Sequence, residues 1–394
     1  MTCNEDAGRL EIEYDYDSVR KVVDRKVFER RHGGVWKYFE LLPLENEKNI
    51  VTLGEVQTPL IRCQNLGKIL GLSNLYVKDE TKNPTASFKD RPMTVGVSKA
   101  VELGYDTVVS ASSGNAAAAL AAYSARAGLT CYTFVPEMAS SGKIAQLRMF
   151  GANVVRVRGL ETGVDPAVTM LKLVCERFGW YPCPSMGPFN PYQGEGPKTM
   201  SYEIVEQLGW TTPDWVFAGV GGGGLLAGNW KGYQEFKRLG LVEGYPHMVA
   251  VQSTGCAPLV RAFDQKMDPH DIVPWEHPDS VATGLMDPFP WDGDAALEAL
   301  CESSGTAVKV SNEEILDAQR ILAKKEGIFG EPSGVTALAG LIRLRNQNEI
   351  SRDDHVVVEM TGSGLKDLSV IGSVSAPLID PNIDDLQKAL SLKK

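Results

Sequence analysis

The chain has 394 residues, with 40 Lys plus Arg against 50 Asp plus Glu, and a formal net charge of −10. Apolar residues make up 43% and charged residues 23%, ordinary globular values that exclude disorder as the main state. The acidic balance excludes a general polyanion binder, whose surface is basic, but not an anionic small molecule held in one locally positive pocket.

At roughly 100–200 residues per domain, the length predicts two to three structural units. The seven cysteines (Cys3, Cys63, Cys131, Cys175, Cys183, Cys256 and Cys301) are too sparse for a disulfide scaffold. No two of them form a C-x-x-C pair, and the five histidines show no metal-site spacing, so no metal is expected. The N-terminus, Met1 to Asp6, is acidic and lacks the apolar core of a signal peptide. The longest apolar stretch, Ala116 to Tyr123, is far too short to span a bilayer. The expectation is a soluble cytoplasmic protein with a small-molecule substrate and neither nucleic acid nor membrane as partner.

In chain order, Leu75–Lys78 is the first strand predicted. Thr107–Ser110 is the second, followed by an Ala-rich helix from Ala116 to Ala127. Thr130–Val135 is the third strand, closed by Pro136. A helix follows with Ile144, Leu147 and Phe150 at helical spacing, and Asn153–Val157 is the fourth strand. Tyr181 to Pro197 carries five prolines and three glycines and reads as a loop or domain crossing. Trp215–Val220, Met248–Gln252 and His355–Met360 are further strands. Between the last two, Met267 to Gly293 reads as loop, rich in Pro and Asp. Short β-rich runs alternating with helices predict βαβ units and a mostly parallel sheet.

Four segments carry chemistry. In Lys82 to Pro92 a turn leads into a helix with Lys89 in its first turn. The positive helix end disfavours an ammonium there, which lowers the lysine pKa and suits it to Schiff-base formation. For a lone lysine, a solvated surface position would be the better reading. Ser110-Ala111-Ser112-Ser113-Gly114-Asn115 joins a strand to a helix. It suits plain capping, and it equally offers hydroxyls, an amide and free N–H groups to a carboxylate or phenolate. Gly219-Val220-Gly221-Gly222-Gly223-Gly224 lets backbone wrap an anion at a helix start. It also matches G-x-G-x-x-G, but a dinucleotide site needs an acid after the next strand. That strand ends in Gln252-Ser253-Thr254, so a phosphate cup without a ribose fits better. Glu359 to Asp367 ends a strand with hydroxyls and glycines, where open α/β sheets bind ligands.

Together these segments supply an amine, a phosphate cup, an amide for a phenolate oxygen and a hydroxyl for a ring nitrogen. Pyridoxal phosphate has all the matching groups, whereas a nicotinamide has no use for Lys89.

On these residues the chain resembles the threonine synthase branch of the fold type II pyridoxal-phosphate enzymes, from about Thr58-Pro59-Leu60 to Asp367. The most specific motifs are Asn83-Pro84-Thr85-x-Ser87-Phe88-Lys89-Asp90-Arg91 and Thr361-Gly362-x-Gly364-Leu365-Lys366-Asp367. Ser112-Ser113-Gly114-Asn115 and Glu195-Gly196-x-Lys198-Thr199 agree. The resemblance implies an α/β protein of the tryptophan synthase β-like fold. It has two three-layer α/β/α domains, mostly parallel sheets and the cofactor in the cleft between them. The small domain is expected over residues 81–185 and the large one over 1–80 and 186–394, with a homodimer as the assembly.

By the same resemblance Lys89 is the Schiff-base lysine and Asn115 meets the cofactor 3′-oxygen. Gly221, Gly222, Gly223 and Gly224 hold the cofactor phosphate, and Thr361 faces the pyridine nitrogen. Ser112, Ser113, Gly114, Gln193 and Lys198 are the expected substrate-binding residues. The implied reaction is a lyase step, elimination of phosphate from O-phosphohomoserine followed by addition of water to give L-threonine. Four positions depart from the family pattern. Gln193 stands where an arginine usually grips the substrate phosphate, the glycine loop lacks the usual asparagines, Ala116 replaces a threonine and Ala86 a glycine. An amide in place of a guanidinium removes a bidentate grip on a dianion, and each charge-assisted bond lost is worth about 1.5–3 kcal/mol. Lys198, Arg126 and Arg148 are the cations that could compensate. The departures keep open a β-eliminating or β-replacing enzyme on serine, threonine or a substituted amino acid, such as a dehydratase. A non-catalytic protein on the same fold is disfavoured by intact Lys89, Asn115 and Thr361. At the N-terminus, Cys3 and Gly8-Arg9-Leu10-Glu11 resemble the residue of a Cys-rich ribbon without its metal ligands.

Overall fold

The computed structural model describes residues 8–137, 139, 141–159, 165–366, 368, 371 and 376–391. Cys3 and Asp367, named above, lie outside them. Among the described residues ten strands form two sheets. The strands are β1 (Leu60–Arg62), β2 (Asn74–Asp79), β3 (Thr107–Ala111), β4 (Thr130–Pro136) and β5 (Asn153–Val157). The remaining five are β6 (Tyr181–Pro182), β7 (Trp215–Gly219), β8 (His247–Ser253), β9 (Thr306–Val310) and β10 (His355–Met360).

The larger sheet has the order β1-β2-β10-β7-β8-β9 and the smaller one β5-β4-β3-β6. Only β1, paired with β2, runs antiparallel. The predicted alternation of strand and helix therefore gives mostly parallel sheets. Parallel strands are buried on both faces, and the sequence shows it as continuous apolar runs.

Alternate residues of each run feed two separate cores. Val216, Ala218, Met248, Ala250 and Val357 face one apolar cluster of the large sheet. Phe217, Val249, Val251, Val356 and Val358 face the other. In the small sheet Val108 and Val109 divide in the same way. Helices cover both faces; the helix Pro332–Asn346, for example, carries Val335, Leu338 and Leu341 into the second large-sheet cluster. Each such side chain, fully buried, contributes about 1.5–3 kcal/mol.

The two sheets leave their strand ends around one cavity. The exits of β3, β7 and β10 lead directly into the three segments singled out in the sequence. No helix among the described residues is long and apolar enough to cross a membrane. The six described cysteines are free, and no described group of His, Cys, Asp and Glu could hold a metal ion.

Candidate active site

Lys89 caps the helix Asp90–Glu102 at its N-terminal end. The chain before it is pinned to the exit of β10. Ser87 pairs with Gly362, Phe88 N donates to Thr361 O (2.9 Å), and Ser363 N donates to Ala86 O (3.0 Å). Asp90 turns its carboxylate back to accept from Thr85 N and Oγ1, both at 2.9 Å. Arg91 is fully buried and bridges Glu80 and Glu203, which also meets Lys78. The lysine therefore stands on a rigid base.

Lys89 Nζ donates to Ser185 Oγ at 2.9 Å and lies 4.7 Å from the centroid of the Phe88 ring. Its pKa is lowered to about 8 by desolvation, against the opposing pull of the Asp287 and Asp292 carboxylates. The direction agrees with the sequence argument, but the main cause is burial rather than the helix end.

The helix Asn115–Ala127 follows β3 through Ser112, Ser113 and Gly114. The amides of Ser113 and Asn115 to Ala117 precede the helix ladder, which starts with Ala118 N on Gly114 O. Asn115 Nδ2 donates to Glu331 Oε1 at 2.6 Å. A Cβ on Gly362 would stand 2.3 Å from that same carboxylate oxygen, so this crossing needs glycine. Glu331 was not foreseen, because it lies 216 residues from Asn115.

The glycine loop joins β7 to the helix Gly224–Arg238. Gly223 has φ +97°, and a Cβ there would meet Asp292 O at 2.6 Å. Side chains on Gly221, Gly222 and Gly224 would meet Leu285, Asp287 and Asp292 within 3.0–3.2 Å. Among the described residues, no amide from Gly221 to Leu226 donates a hydrogen bond, although Ala227 N already reaches Gly223 O. A run of unused N–H groups at a 15-residue helix start is a fitting cradle for a phosphate.

Thr361 directly follows β10 and is buried, and its hydroxyl bonds no described residue. Lys89, Asn115, Gly221 to Gly224 and Thr361 all line one cavity of about 600 Å³. Ser112, Ser113, Gly114 and Gln193 line it too, whereas Lys198 does not. Lys198 is fully buried, with Nζ 2.7 Å from Glu195 and 2.9 Å from Glu235. Gln193 is buried as well. Its Oε1 accepts from Ser185 N (3.0 Å) and its Nε2 faces Met93 Sδ (3.1 Å). It thus holds Ser185, whose φ is +64°, against Lys89. Arg126 reaches Thr52 O instead of the cavity, and Arg148 belongs to the helix Ser141–Met149 and lines none of it.

The cavity also takes residues that no local motif announced. Arg9, Leu10 and Glu11 of the N-terminal segment form part of its wall. Tyr14 and Tyr16 fasten that segment by hydrogen bonds to Glu195 (2.8 Å) and Glu235 (2.9 Å). Asp287 and Asp292 come from the loop before the helix Gly293–Glu302. Burial pushes their carboxyls up, to about 6 and about 7.

Such a cavity, with a depressed lysine, an amide, a phosphate cradle and a lone hydroxyl at the exits of parallel strands, defines a pyridoxal-phosphate enzyme. Residues 51–362 match the model of the family described as pyridoxal-phosphate dependent enzyme, and the chain belongs to it. Its branch is that of the threonine synthases. The threonine synthase of Methanocaldococcus jannaschii is 44% identical over 93% of this chain and 88% of its own. That of Methanosarcina acetivorans is 42% identical over 99% and 94%. Among solved structures, threonine deaminase isoform 2 from Solanum lycopersicum superposes with a TM-score of 0.69 at 23% identity. The match covers 86% of this chain and 91% of that one, and it shows the shared fold. The cofactor of the chain is pyridoxal phosphate.

Proposed function

We propose that the chain is a threonine synthase, a carbon–oxygen lyase that releases phosphate from O-phosphohomoserine and adds water to give L-threonine. The supporting observation is the single cavity in which Lys89, Asn115, the glycine loop and Thr361 converge, in a chain 44% identical to a threonine synthase.

The bound cofactor supplies an electron sink for carbanion character on the substrate. The unused amides of Gly221 to Leu226 are suited to its phosphate, and Lys89 Nζ to its aldehyde carbon. Asn115 would meet the 3′-oxygen. Thr361 would meet the ring nitrogen with a neutral hydroxyl, which does not enforce protonation as a carboxylate would. A neutral Thr361 hydroxyl at that position would suit elimination more than transamination. Amides and hydroxyls of Ser112 to Asn115 can hold the substrate carboxylate. Lys89 Nζ, with a pKa of about 8, can take the proton from the substrate α-carbon and return it along the skeleton. Ser185 and Phe88 keep that amine in place.

The reading includes a small domain over residues 81–185 that closes on the remainder and excludes water. It also includes a cytoplasmic homodimer, on the likeness to the family alone. A β-elimination on serine or threonine is the second reading, favoured by one observation. The Gln193 amide is engaged with Ser185 and Met93, leaving no grip on a substrate phosphate. Release of phosphate and threonine from O-phosphohomoserine supports the first reading; a 2-oxo acid from threonine or serine, without phosphate release, replaces it by the second.

A further inference from the structure

We propose that Asp287 selects the charge that the cavity accepts at the far end of the substrate side chain. With its proton on, it donates a hydrogen bond to an anionic leaving group; with its proton off, it repels that anion and favours an uncharged or cationic side chain. This rests on the cavity being an amino-acid site, and it deepens that reading by naming what discriminates substrates there.

The backbone of Asp287 is fixed while its carboxyl is not. Leu285 N donates to Ala282 O (2.8 Å), Asp287 N donates to Leu285 O (2.9 Å), and Cys256 Sγ lies 3.5 Å from Asp287 O. The carboxyl lines the cavity, is half-buried, and bonds no described residue. Its Oδ2 lies 3.1 Å from where a Cβ on Gly222 would sit, beside the anion cradle.

The two lysines that line the cavity are otherwise committed, and Arg9, the remaining cation of its wall, is drawn to carboxylates. Lys231 Nζ is held by Glu195 Oε1 (2.7 Å) and Ile12 O (2.6 Å). Arg9 pairs with Glu11 (2.7 Å) and Asp294 (3.4 Å). Lys89 is the cofactor's amine, and Gln193 is turned to Ser185. An ionised Asp287 would add negative charge beside a side-chain phosphate, and a neutral carboxyl offers it a donor instead.

The groups that act on Asp287 are Lys89 at the start of its helix and Asp165 before the helix Pro166–Phe178. The Cys256 thiol lies near its carbonyl, and Asp292, further along its own loop, shares the field of Lys89. Burial has pushed Asp287 up to about 6, and the ammonium of Lys89 holds it from going higher. Neutralising Lys89 would raise it further, toward the pH at which the protein works.

The test measures binding to the holoenzyme from pH 5.5 to 8.5 by the change in cofactor absorbance. The probes are the phosphonate isostere of O-phosphohomoserine, in which a methylene blocks phosphate release, and L-threonine as the uncharged side chain. Comparing wild type with Asp287→Asn at each pH cancels the ligand's own titration. The variant should bind the isostere about equally at pH 5.5 and at least about tenfold more tightly at pH 8.5. Threonine binding should not follow that trend, and Asp287→Glu should keep the wild-type slope. A ratio that stays flat with pH overturns the proposal, as does equal weakening of both ligands. So does a flat ratio accompanied by altered cofactor retention, which would turn the carboxyl toward the cofactor. Should the holoenzyme release no phosphate from O-phosphohomoserine at any pH, the threonine synthase reading fails, while the isostere ratio still decides the role of Asp287.

Discussion

Lys89 is costly to the fold it serves. Its pKa of about 8 lies below the ordinary lysine value because burial disfavours the ammonium. Between pH 8 and the ordinary value the unfolded chain binds a proton that the folded chain does not, so stability rises with pH there. Below pH 8 both states are protonated and the folded one carries the full desolvation cost. Lys89→Ala should therefore stabilise the cofactor-free protein at pH 7 by about 1–3 kcal/mol, and by less at pH 10. The same variant should lose visible cofactor absorbance and at least about 10³-fold of its activity. Retained absorbance would remove Lys89 from its role. Glu359, two residues before Thr361, makes a parallel case. Burial holds its carboxyl well above the usual range, with Glu80 adding to the rise and Asn229 bonded to one oxygen. A raised carboxyl stabilises the folded state most at low pH and loses that contribution as pH rises. Glu359→Gln should match wild type near pH 4 and gain on it by about 1.4 kcal/mol per unit above the ordinary carboxyl pKa. Denaturant midpoints at pH 4 and 7.5 measure this, and an equal effect at both would show that the carboxyl is ionised in the fold.

At the level of elements, the glycine loop turns a strand into an anion cradle because its backbone is crossed at close range. Gly223→Ala must place a Cβ 2.6 Å from Asp292 O at a φ of +97°. We expect a loss of at least about 1–3 kcal/mol of stability and at least tenfold weaker cofactor retention, read by dialysis and absorbance. Unchanged retention would mean that the loop does not hold the phosphate. This loop was legible in the sequence, as were Asn115 and Thr361, because each sits within a few residues of a strand end; Lys89 was legible from the motif that leads into its helix. β3, β5 and β8 were legible too, as apolar runs between turn residues. β1 and β6 were not, since three and two residues carry no period, and Tyr181–Pro182 lies among prolines. β9 reads Thr-Ala-Val-Lys-Val, without the adjacent pair of valines that marks β5. Ser185, Asp287, Glu331 and Arg9 reach the cavity through loops, and only tertiary packing places them. Gln193 was legible as a departure, but its use in holding Ser185 was not.

At the scale of the whole molecule, the two sheets have separate apolar cores, joined by polar ties and by apolar contacts such as that of Trp291 with Phe189. The polar ties include Phe88 to Thr361, Ser363 to Ala86, Asn115 to Glu331 and the buried Arg91 to Glu203 pair. Units with separate cores need not unfold together. On the proposed placement, with Lys89 and Asn115 on one side of the cofactor and the glycine loop and Thr361 on the other, pyridoxal phosphate would add a further tie. A ligand at a hundred times its dissociation constant stabilises its binding form by about 2.7 kcal/mol, and it binds only when both sides are folded. The cofactor-free protein should therefore unfold in two calorimetric transitions. The loaded protein should show a single transition, higher by several degrees than the first of the two. Two transitions with the lower one unmoved by cofactor would place binding within one unit alone. Gly223→Ala gives the control, since the same concentration of pyridoxal phosphate should raise the first transition of the variant less, by about 1.4 kcal/mol for each tenfold loss of affinity.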